Sequence, residues 1–210
     1  MTQIELDSPE VVAETQSKSL LREVLETLVL TALIFFSVNL VTGRFKIDGA
    51  SMNDTFFHGE YIIVSRVAYR LHPPQHGDIV VFVPPYSDTG TFVERLIGKP
   101  GETDFIKRVV GVPGDTVEIV GGVVRVNGVL LDEPYLREPM RTFQPETWRL
   151  GEDEYFVMGD NRNFSKDSRD PAVGPISIDR IVGKVWLVYF PFRDFGIVDH
   201  FRYPEFATAQ

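Results

Sequence analysis

Three short segments of the chain carry polar residues in patterns that suit acyl-transfer chemistry. They read Gly-Ala-Ser-Met-Asn-Asp-Thr over residues 49–55, Phe-Ile-Lys-Arg-Val-Val-Gly-Val-Pro-Gly-Asp over residues 105–115, and Gly-Asp-Asn-Arg-Asn-Phe-Ser-Lys-Asp-Ser-Arg over residues 159–169. The third segment places two acids, two arginines and two serines within eleven positions. An ordinary polar loop rarely needs that density, so we expect a buried network of ion pairs and hydroxyls that orients a catalytic amine.

Lys107 is the candidate general base. It lies between apolar neighbours, and strand alternation places Lys107 and Arg108 on opposite faces, so one of the two is expected to point inward. Lysine can lose its proton, whereas arginine effectively cannot. Lowering a lysine pKa from ~10.4 to about 8 by burial costs roughly 3.3 kcal/mol. The neutral amine can then accept a serine proton; the alternative is a lysine that snorkels from an exposed strand.

Ser51 is the candidate nucleophile. A serine nucleophile needs an exposed turn and nearby backbone N–H groups that stabilise an oxyanion, and the Ser51 amide can supply one of them. Gly49, two residues earlier, permits close approach of a substrate backbone. A Gly-x-Ser pattern by itself is weak evidence, because serine is common in turns.

Composition and charge exclude several other chemistries. The chain has no cysteine, which rules out disulfides, thiolate metal ligands and a cysteine nucleophile. Its formal net charge of −9 at pH 7 disfavours a nucleic-acid partner. The four histidines lack metal-binding spacing, so no metal or other cofactor is expected. His58 lies near Ser51 in the sequence and is a rival base, although a solvated loop histidine is the simpler interpretation.

A hydrophobic stretch that suits a membrane anchor precedes these segments. Residues 1–19 are polar and acidic and are expected to form a mobile tail. The uncharged residues 27–41 reach only about 22 Å as a helix, whereas a helix from Leu20 reaches about 33 Å, enough for a hydrocarbon core of roughly 30 Å. We predict an anchor helix over residues 20–43, with a buried core helix or a cleaved signal peptide as alternatives. Basic residues flank the stretch equally, so charge does not set its orientation.

The rest of the chain is rich in β-strand patterns. A β-branched and aromatic run occupies residues 78–83, and Gly121-Gly122 between two valine-rich runs is a strong hairpin signal. No long helical periodicity follows the anchor. The predicted organisation is an all-β, mainly antiparallel catalytic domain over residues 44–193, with a surface excursion at 132–153 and a C-terminal tail at 194–210.

Taken together, the three segments resemble the sequence boxes of bacterial type I signal peptidases. Those boxes contain Ser-Met, Lys-Arg-x-x-Gly-x-Pro-Gly-Asp and Gly-Asp-Asn-Arg-x-x-Ser-x-Asp-Ser-Arg, and all three occur here in family order. The Gly-Asp-Ile-Val-Val-Phe run at residues 77–82 resembles the box between the first two. The match extends from about residue 45 to residue 191, and the last box is highly specific.

The resemblance implies a role for each matched position. Ser51 resembles the family nucleophile, Lys107 its general base, and Ser165 the hydroxyl that hydrogen-bonds and orients that lysine. The implied supporting ion pairs are Asp167 with Arg169 and Asp160 with Arg108. The positions where the family lines its shallow substrate pockets for small side chains are Ile47, Met52, Phe56, Phe105 and Ile106.

Two positions bear on how well the chain fits the family. Family members commonly read Ser-Met-x-Pro-Thr, and here Asp54 replaces the proline, so the turn after the nucleophile is loosened or is left to an Asx-turn. Some members place a serine two positions before the nucleophile to complete the oxyanion hole. This chain has Gly49 there, as other members do, so backbone N–H groups must suffice.

The resemblance implies a membrane-bound serine endopeptidase that removes N-terminal signal peptides from exported preproteins, cutting after small residues at Ala-x-Ala-like sites. The implied partners are preprotein signal peptides emerging from the export machinery and the lipid bilayer, with no nucleic acid and no metal. The implied location is the plasma membrane, with a single span and the catalytic domain on the extracytoplasmic side.

Two other functions fit parts of the sequence. One is a catalytically weak or inactive membrane-tethered β scaffold that binds preproteins, which Asp54 suggests. The other is a LexA-type self-cleaving Ser/Lys peptidase. That type needs a DNA-binding helical domain, where this chain has an acidic tail and an apolar stretch.

Overall fold

The chain divides into a helical N-terminal unit that ends at Asn39 and a β-rich unit that begins at Leu40. The structure is a computed structural model that describes residues 9–88, 104–141 and 144–206, with side chains from residue 20 onward. The division lies close to the boundary predicted between the anchor and the catalytic domain.

Helix α1 spans Pro9–Val41, and proline suits its first turn because the N–H that proline lacks would be unpaired there. Within it, the 22 residues Leu20–Val41 have a mean hydropathy of 2.1 and are long and apolar enough to cross a membrane. Residues 9–19, expected to belong to a mobile tail, are helical in the structure. Once the apolar stretch is helical, extension through Glu, Ala, Gln and Lys costs little, which composition alone does not show.

Besides four one-turn 3-10 helices, twelve strands and one short α-helix follow α1 within the described residues. Their bounds are β1 (Thr42–Lys46), β2 (Tyr61–Ser65), α2 (Ala68–Leu71), β3 (Ile79–Phe82), β4 (Phe105–Gly111), β5 (Thr116–Val120), β6 (Val123–Val126), β7 (Val129–Leu130), β8 (Glu146–Arg149), β9 (Glu154–Met158), β10 (Ile176–Ser177), β11 (Ile181–Phe190) and β12 (Gly196–Ile197).

The strands form two antiparallel sheets. The larger sheet has the order β1-β2-β11-β3-β4-β9-β10, with β12 beside β11. The smaller sheet has the order β7-β6-β5-β8. The predicted all-β, mainly antiparallel fold class is therefore confirmed, with the helix of membrane-spanning length in front of it.

Tight turns join the strands of the smaller sheet. Gly121 and Gly122 have φ values of +63° and +82°, and they connect β5 to β6. Asn127 and Gly128, with φ values of +52° and +79°, connect β6 to β7. Two consecutive residues with positive φ match the twist of a hairpin, which is why Gly-Gly and Asn-Gly pairs occur at these positions.

Strand β4 lies in the middle of the larger sheet, between β3 and β9. Lys107 is opposite Val80 of β3, and Arg108 is opposite Met158 of β9. Separate apolar clusters cover the two faces of this part of the sheet. Alternation predicted one inward side chain, but the structure buries both Lys107 and Arg108, which are 3% and 1% exposed. Alternation shows which side chains share a face, but it does not show that both faces are covered.

The described part of the predicted C-terminal tail packs onto the start of β3. The Ile79 amide donates to His200 Nδ1 at 3.0 Å. Gly77 faces the same segment so closely that a Cβ there would lie 1.7 Å from the Phe201 carbonyl oxygen. The described part of this tail, as far as residue 206, therefore belongs to the β-rich unit.

Candidate active site

The candidate nucleophile lies in a tight turn between β1 and β2. The Asn53 amide donates to Ala50 O at 3.1 Å, and the Phe56 amide donates to Met52 O at 2.8 Å. These bonds close the turn and place the side chains of Met52 and Phe56 in the core. Ser51 itself stays half-buried, so the turn presents its hydroxyl while the residues after it anchor the turn.

Ser51 and Lys107 are in direct contact although 56 residues separate them in the sequence. Lys107 Nζ lies 2.7 Å from Ser51 Oγ. The same nitrogen donates to Ile106 O at 2.7 Å and lies 5.2 Å from the centre of the Phe105 ring. The amine therefore has the serine hydroxyl as a partner in an otherwise buried and partly apolar environment.

Burial lowers the pKa of Lys107 from 10.5 to about 8, because the charged form loses its hydration inside the domain. The carboxylates of Asp167 and Asp160 oppose this shift, and the guanidinium of Arg169 adds to it. With a pKa of about 8, roughly one lysine in ten is neutral at pH 7. A neutral amine in contact with Ser51 Oγ can accept the serine proton without a histidine.

Asp160 and Arg108 form a buried bidentate ion pair. Arg108 Nε and Nη2 donate to the two carboxylate oxygens of Asp160 at 2.9 and 2.7 Å, and Nη1 donates to Gly77 O at 3.0 Å. Burial alone would lower the pKa of Arg108, but the Asp160 carboxylate outweighs it and the pKa is raised. The Thr55 hydroxyl also donates to Asp160. Since Thr55 belongs to the turn that carries Ser51, the ion pair ties β4 to that turn.

Asp167 and Arg169 form a second bidentate pair. Arg169 Nε and Nη2 donate to the two carboxylate oxygens of Asp167 at 2.8 Å each, and the Gly159 amide donates to Asp167 at 2.9 Å. Burial raises the pKa of Asp167, but these donors and the nearby Ser165 hydroxyl outweigh it, so the net shift is downward. Asp167 therefore stays ionised and keeps a negative charge close to Lys107.

The hydrogen bond that the resemblance implies between Ser165 and Lys107 is not formed in the structure. Ser165 Oγ is buried next to Gly159 and has no hydrogen-bond partner of normal geometry. Lys107 donates to the Ile106 carbonyl oxygen instead.

Gly159 and Asn161 hold the backbone of the nucleophile turn, a role that the residue pattern did not predict for either of them. The Asn161 amide donates to Ser51 O at 3.0 Å, and its side chain donates to Ala50 O at 3.0 Å. A Cβ on Gly159 would lie 2.4 Å from Ser51 O and 2.2 Å from Ser165 Oγ. The polar density of residues 159–169 pointed to this loop, but not to which residue touches Ser51.

Four of the five predicted pocket residues pack in one apolar cluster. Two of them are sequence neighbours of the candidate catalytic residues, since Met52 follows Ser51 and Ile106 precedes Lys107. Ile47, Met52 and Phe56 are buried in the cluster, and Ile106 packs against it with partial exposure. Met52 and Phe56 are each 1% exposed, so they contribute almost no surface to the site. Phe105 packs against a different cluster, whose members lie on strands β3, β4 and β9 and near β10.

His58 contacts the residues before the nucleophile. Its Nδ1 accepts from the Gly49 amide at 3.3 Å and lies 3.1 Å from Asp48, and its side chain is 66% exposed. Gly49 has a φ of +99°, and a Cβ there would meet open space, so glycine is required by the backbone conformation rather than by a close neighbour. Among the described residues, no group of three or more His, Cys, Asp or Glu side chains is arranged to hold a metal ion.

The fold and the site define the class of protein. An antiparallel β domain places a buried lysine amine against a serine hydroxyl, and a helix of membrane-spanning length precedes that domain. This is a serine endopeptidase. The chain belongs to the signal peptidase family, peptidase S26, whose family model matches residues 20–190. The resemblance found in the sequence is thereby confirmed.

Known signal peptidases are similar to the chain over most of its length. The probable signal peptidase I-1 of Synechocystis sp. is 36% identical over 169 residues, which cover 77% of this chain and 78% of that protein. Signal peptidase IB of Staphylococcus aureus (strain Mu50) is 33% identical over 195 residues, which cover 85% of this chain and 93% of that protein. A crystal structure of a signal peptidase I from Enterococcus faecalis V583 is 30% identical and covers 53% of this chain and 95% of its own, with a TM-score of 0.41.

Proposed function

We propose that the protein is a membrane-anchored endopeptidase that removes N-terminal signal peptides from exported preproteins, with Ser51 as nucleophile and Lys107 as general base. The observation that carries this proposal is the 2.7 Å contact between Ser51 Oγ and the Nζ of a lysine whose pKa burial lowers to about 8. The relatives named signal peptidase support the substrate class, since they match most of the chain.

Acylation begins when neutral Lys107 takes the Ser51 proton as Oγ attacks the scissile carbonyl carbon. The carbonyl oxygen becomes an oxyanion, and the Ser51 amide N–H stabilises it. The Lys107 ammonium then gives its proton to the leaving amine, so the peptide bond breaks and the mature protein departs. The signal peptide stays attached to Ser51 as an ester.

Deacylation repeats the same proton transfers with water. Neutral Lys107 takes a proton from a water molecule, the resulting hydroxide attacks the ester carbon, and the returned proton restores the Ser51 hydroxyl. The ion pairs of Asp160 with Arg108 and Asp167 with Arg169 keep the lysine, the loop and the turn in place through both steps. They act on the position of the amine rather than on the substrate.

Cleavage after small residues rests on the match to the signal peptidase family. Four of the positions that the resemblance assigns to the substrate pockets belong to or pack against one apolar cluster, in which Met52 and Phe56 are almost completely buried. A preprotein segment would lie extended beside an exposed strand and pair through its backbone, which fits the Ala-x-Ala-like sites implied by the family.

The test is cleavage of a purified preprotein in detergent by wild type, Ser51→Ala and Lys107→Ala. We expect cutting after a small-x-small site by wild type alone. Lys184→Ala is the matched control, because it removes another largely buried lysine of the same sheet and leaves Arg202 to pair with Asp78. That control should cut like wild type.

Each contrary outcome has a different meaning. Cutting that survives Lys107→Ala would overturn the lysine base and turn attention to His58. A folded wild type that cuts no preprotein would overturn the peptidase itself and favour the membrane-tethered scaffold.

A further inference from the structure

Residues 132–141, here called the strap, contact the loop and the turn that build the site. The sequence predicted only a surface excursion for this stretch. Five of its residues contact the second and third polar segments or the nucleophile turn. These contacts are Glu133 with Arg162, Tyr135 with Arg108, Arg137 with Asp54, Met140 with Arg169, and Arg141 with Asn163.

The central contact of the strap is a buried ion pair between Glu133 and Arg162. Arg162 Nη1 donates to one carboxylate oxygen of Glu133 at 2.8 Å, and Nη2 donates to the other. Nη2 also donates to the Tyr135 hydroxyl at 3.1 Å, and that hydroxyl donates to Glu133 at 2.6 Å. Both charged side chains are at least nine-tenths buried. Their attraction to each other therefore replaces the hydration that each charge loses on burial.

Arg162 also contacts the loop that holds the nucleophile turn. Its Nε donates to Gly159 O at 3.2 Å. Gly159 in turn lies against Ser51 O, and Asn161, next to Arg162, donates to that same oxygen at 3.0 Å. The guanidinium therefore fixes the loop at the point where the loop holds the backbone of Ser51.

A second branch leads from the strap to β4. The Tyr135 ring lies 4.1 Å from the Arg108 guanidinium carbon, and its hydroxyl shares a hydrogen bond with Tyr203 of the C-terminal segment. Arg108 follows Lys107 on β4. The strap thus contacts groups next to both Ser51 and Lys107. It reaches the surroundings of Ser51 through Arg162 and those of Lys107 through Arg108.

We propose that Glu133 is a positioning residue of the peptidase, which acts through Arg162 to hold the loop at 159–161 and so keeps Ser51 Oγ within reach of Lys107. The proposal rests on the proposed function of the Ser51–Lys107 pair. Glu133 touches neither member of that pair, so its loss affects the rate of acylation and leaves substrate binding largely intact. A misplacement of about 1 Å can lower a rate by about a hundredfold.

The test replaces the ion pair as a unit, with Glu133→Leu and Arg162→Met in one protein. A buried ion pair replaced by apolar groups of similar volume usually costs little stability, so the double variant keeps the fold while losing the hydrogen bond to Gly159 O. We expect kcat to fall by about tenfold to a hundredfold, with KM within about threefold of wild type and Tm within a few degrees. Lys184→Met is the matched control, since it removes one partner of another largely buried ion pair, the one with Asp78, and lies outside the three polar segments. It should lower Tm and leave kcat unchanged.

Wild-type kcat in the folded double variant would overturn the positioning role while leaving the proposed function intact. If the double variant does not fold, Arg162→Lys decides the question, because it keeps the charge beside Glu133 and loses the forked donors. A lower kcat at unchanged KM and Tm then supports the proposal, and wild-type kcat overturns it. A wild type without activity on any preprotein would overturn the proposed function first, and this inference with it.

Discussion

At the scale of single residues, Lys107 is held in an environment that favours its neutral form. The neighbouring Asp167 and Asp160 carboxylates favour the charged form, and burial outweighs them. Both the activity and the stability of the protein therefore depend on the protonation of one amine, and loss of its proton favours both.

We expect kcat/KM to rise with pH as a single ionisation near pH 8, because only neutral Lys107 can accept the Ser51 proton. The measurement is the initial rate of cleavage of one preprotein between pH 6 and 10, at constant ionic strength. A profile centred near pH 6.5 would instead indicate a histidine base and contradict the lysine mechanism.

We expect Lys107→Met to abolish cleavage and to stabilise the fold at pH 7. The folded pKa of about 8 lies below the unfolded value, so protonation opposes folding, fully below about pH 8 and progressively less as the pH rises towards 10.5. The gain at pH 7 is roughly 1–3 kcal/mol and should shrink towards pH 10. Thermal unfolding at the two pH values measures it. If the Tm of Lys107→Met at pH 7 were below that of wild type, it would contradict the assignment of Lys107 as a buried charge that opposes folding.

Asp54, which stands where the family commonly has proline, has a φ of +82°. Proline is fixed near −65°, so we expect Asp54→Pro to destabilise the fold by about 1–3 kcal/mol or to rebuild the turn after Ser51. Asp54→Gly is the matched control, because glycine accepts this φ, and it should fold and cut like wild type. Thermal unfolding and cleavage rates check both variants. A stable and fully active Asp54→Pro protein would show that the turn adopts a different backbone.

At the scale of elements, the site is assembled where two connections meet one strand. The β1–β2 turn carries Ser51, β4 carries Lys107, and the loop after β9 packs against both through Asp160 and Asn161. The backbones of the loop and the turn are in direct contact, since the Asn161 amide donates to Ser51 O at 3.0 Å. Small changes in the loop should therefore affect catalysis more strongly than similar changes elsewhere.

We expect Gly159→Ala to reduce cleavage at least about a hundredfold, because its Cβ would lie 2.4 Å from Ser51 O and must push the turn away from Lys107. Gly196→Ala is the matched control, since a Cβ there meets nothing within 4 Å, and it should leave cleavage unchanged. Steady-state kinetics of the two purified variants make the comparison. Equal activity would mean that the loop does not hold the turn.

At the scale of the whole molecule, the proposed function divides between two parts of the chain. The helix of membrane-spanning length would anchor the protein, and the β domain would cleave the preprotein. The apolar side chains of Leu20–Val41 are exposed along the helix, as a lipid-facing span requires. The extracytoplasmic position that the family resemblance implies for the catalytic domain can be tested directly, because the chain has no cysteine of its own.

We expect a single cysteine at Glu152, which is exposed between β8 and β9, to react with a membrane-impermeant maleimide in intact cells. A cysteine at Thr2, which precedes the span in the sequence, should react only after the cells are opened. The reversed labelling pattern would place the catalytic domain in the cytoplasm and exclude a role on exported preproteins.

The sequence by itself determined the family, the fold class, the helix of membrane-spanning length and the identity of the two residues in contact. Motif spacing and hydrophobic patterning are local properties, so they can be read without knowing which strands pair. The Gly-Gly hairpin and the Ser-Met and Lys-Arg segments are examples, because the residue types there are tied to backbone conformation or to chemistry.

Only the tertiary structure decided which groups surround those two residues. Burial of both Lys107 and Arg108 follows from the pairing of β4 with β3 and β9 and from apolar cover on both faces, which no single strand encodes. Glu133 reaches Arg162 across 29 residues from a stretch whose sequence predicts only a surface excursion. Such contacts depend on how distant segments pack together, and the types of residue at each end do not specify that packing.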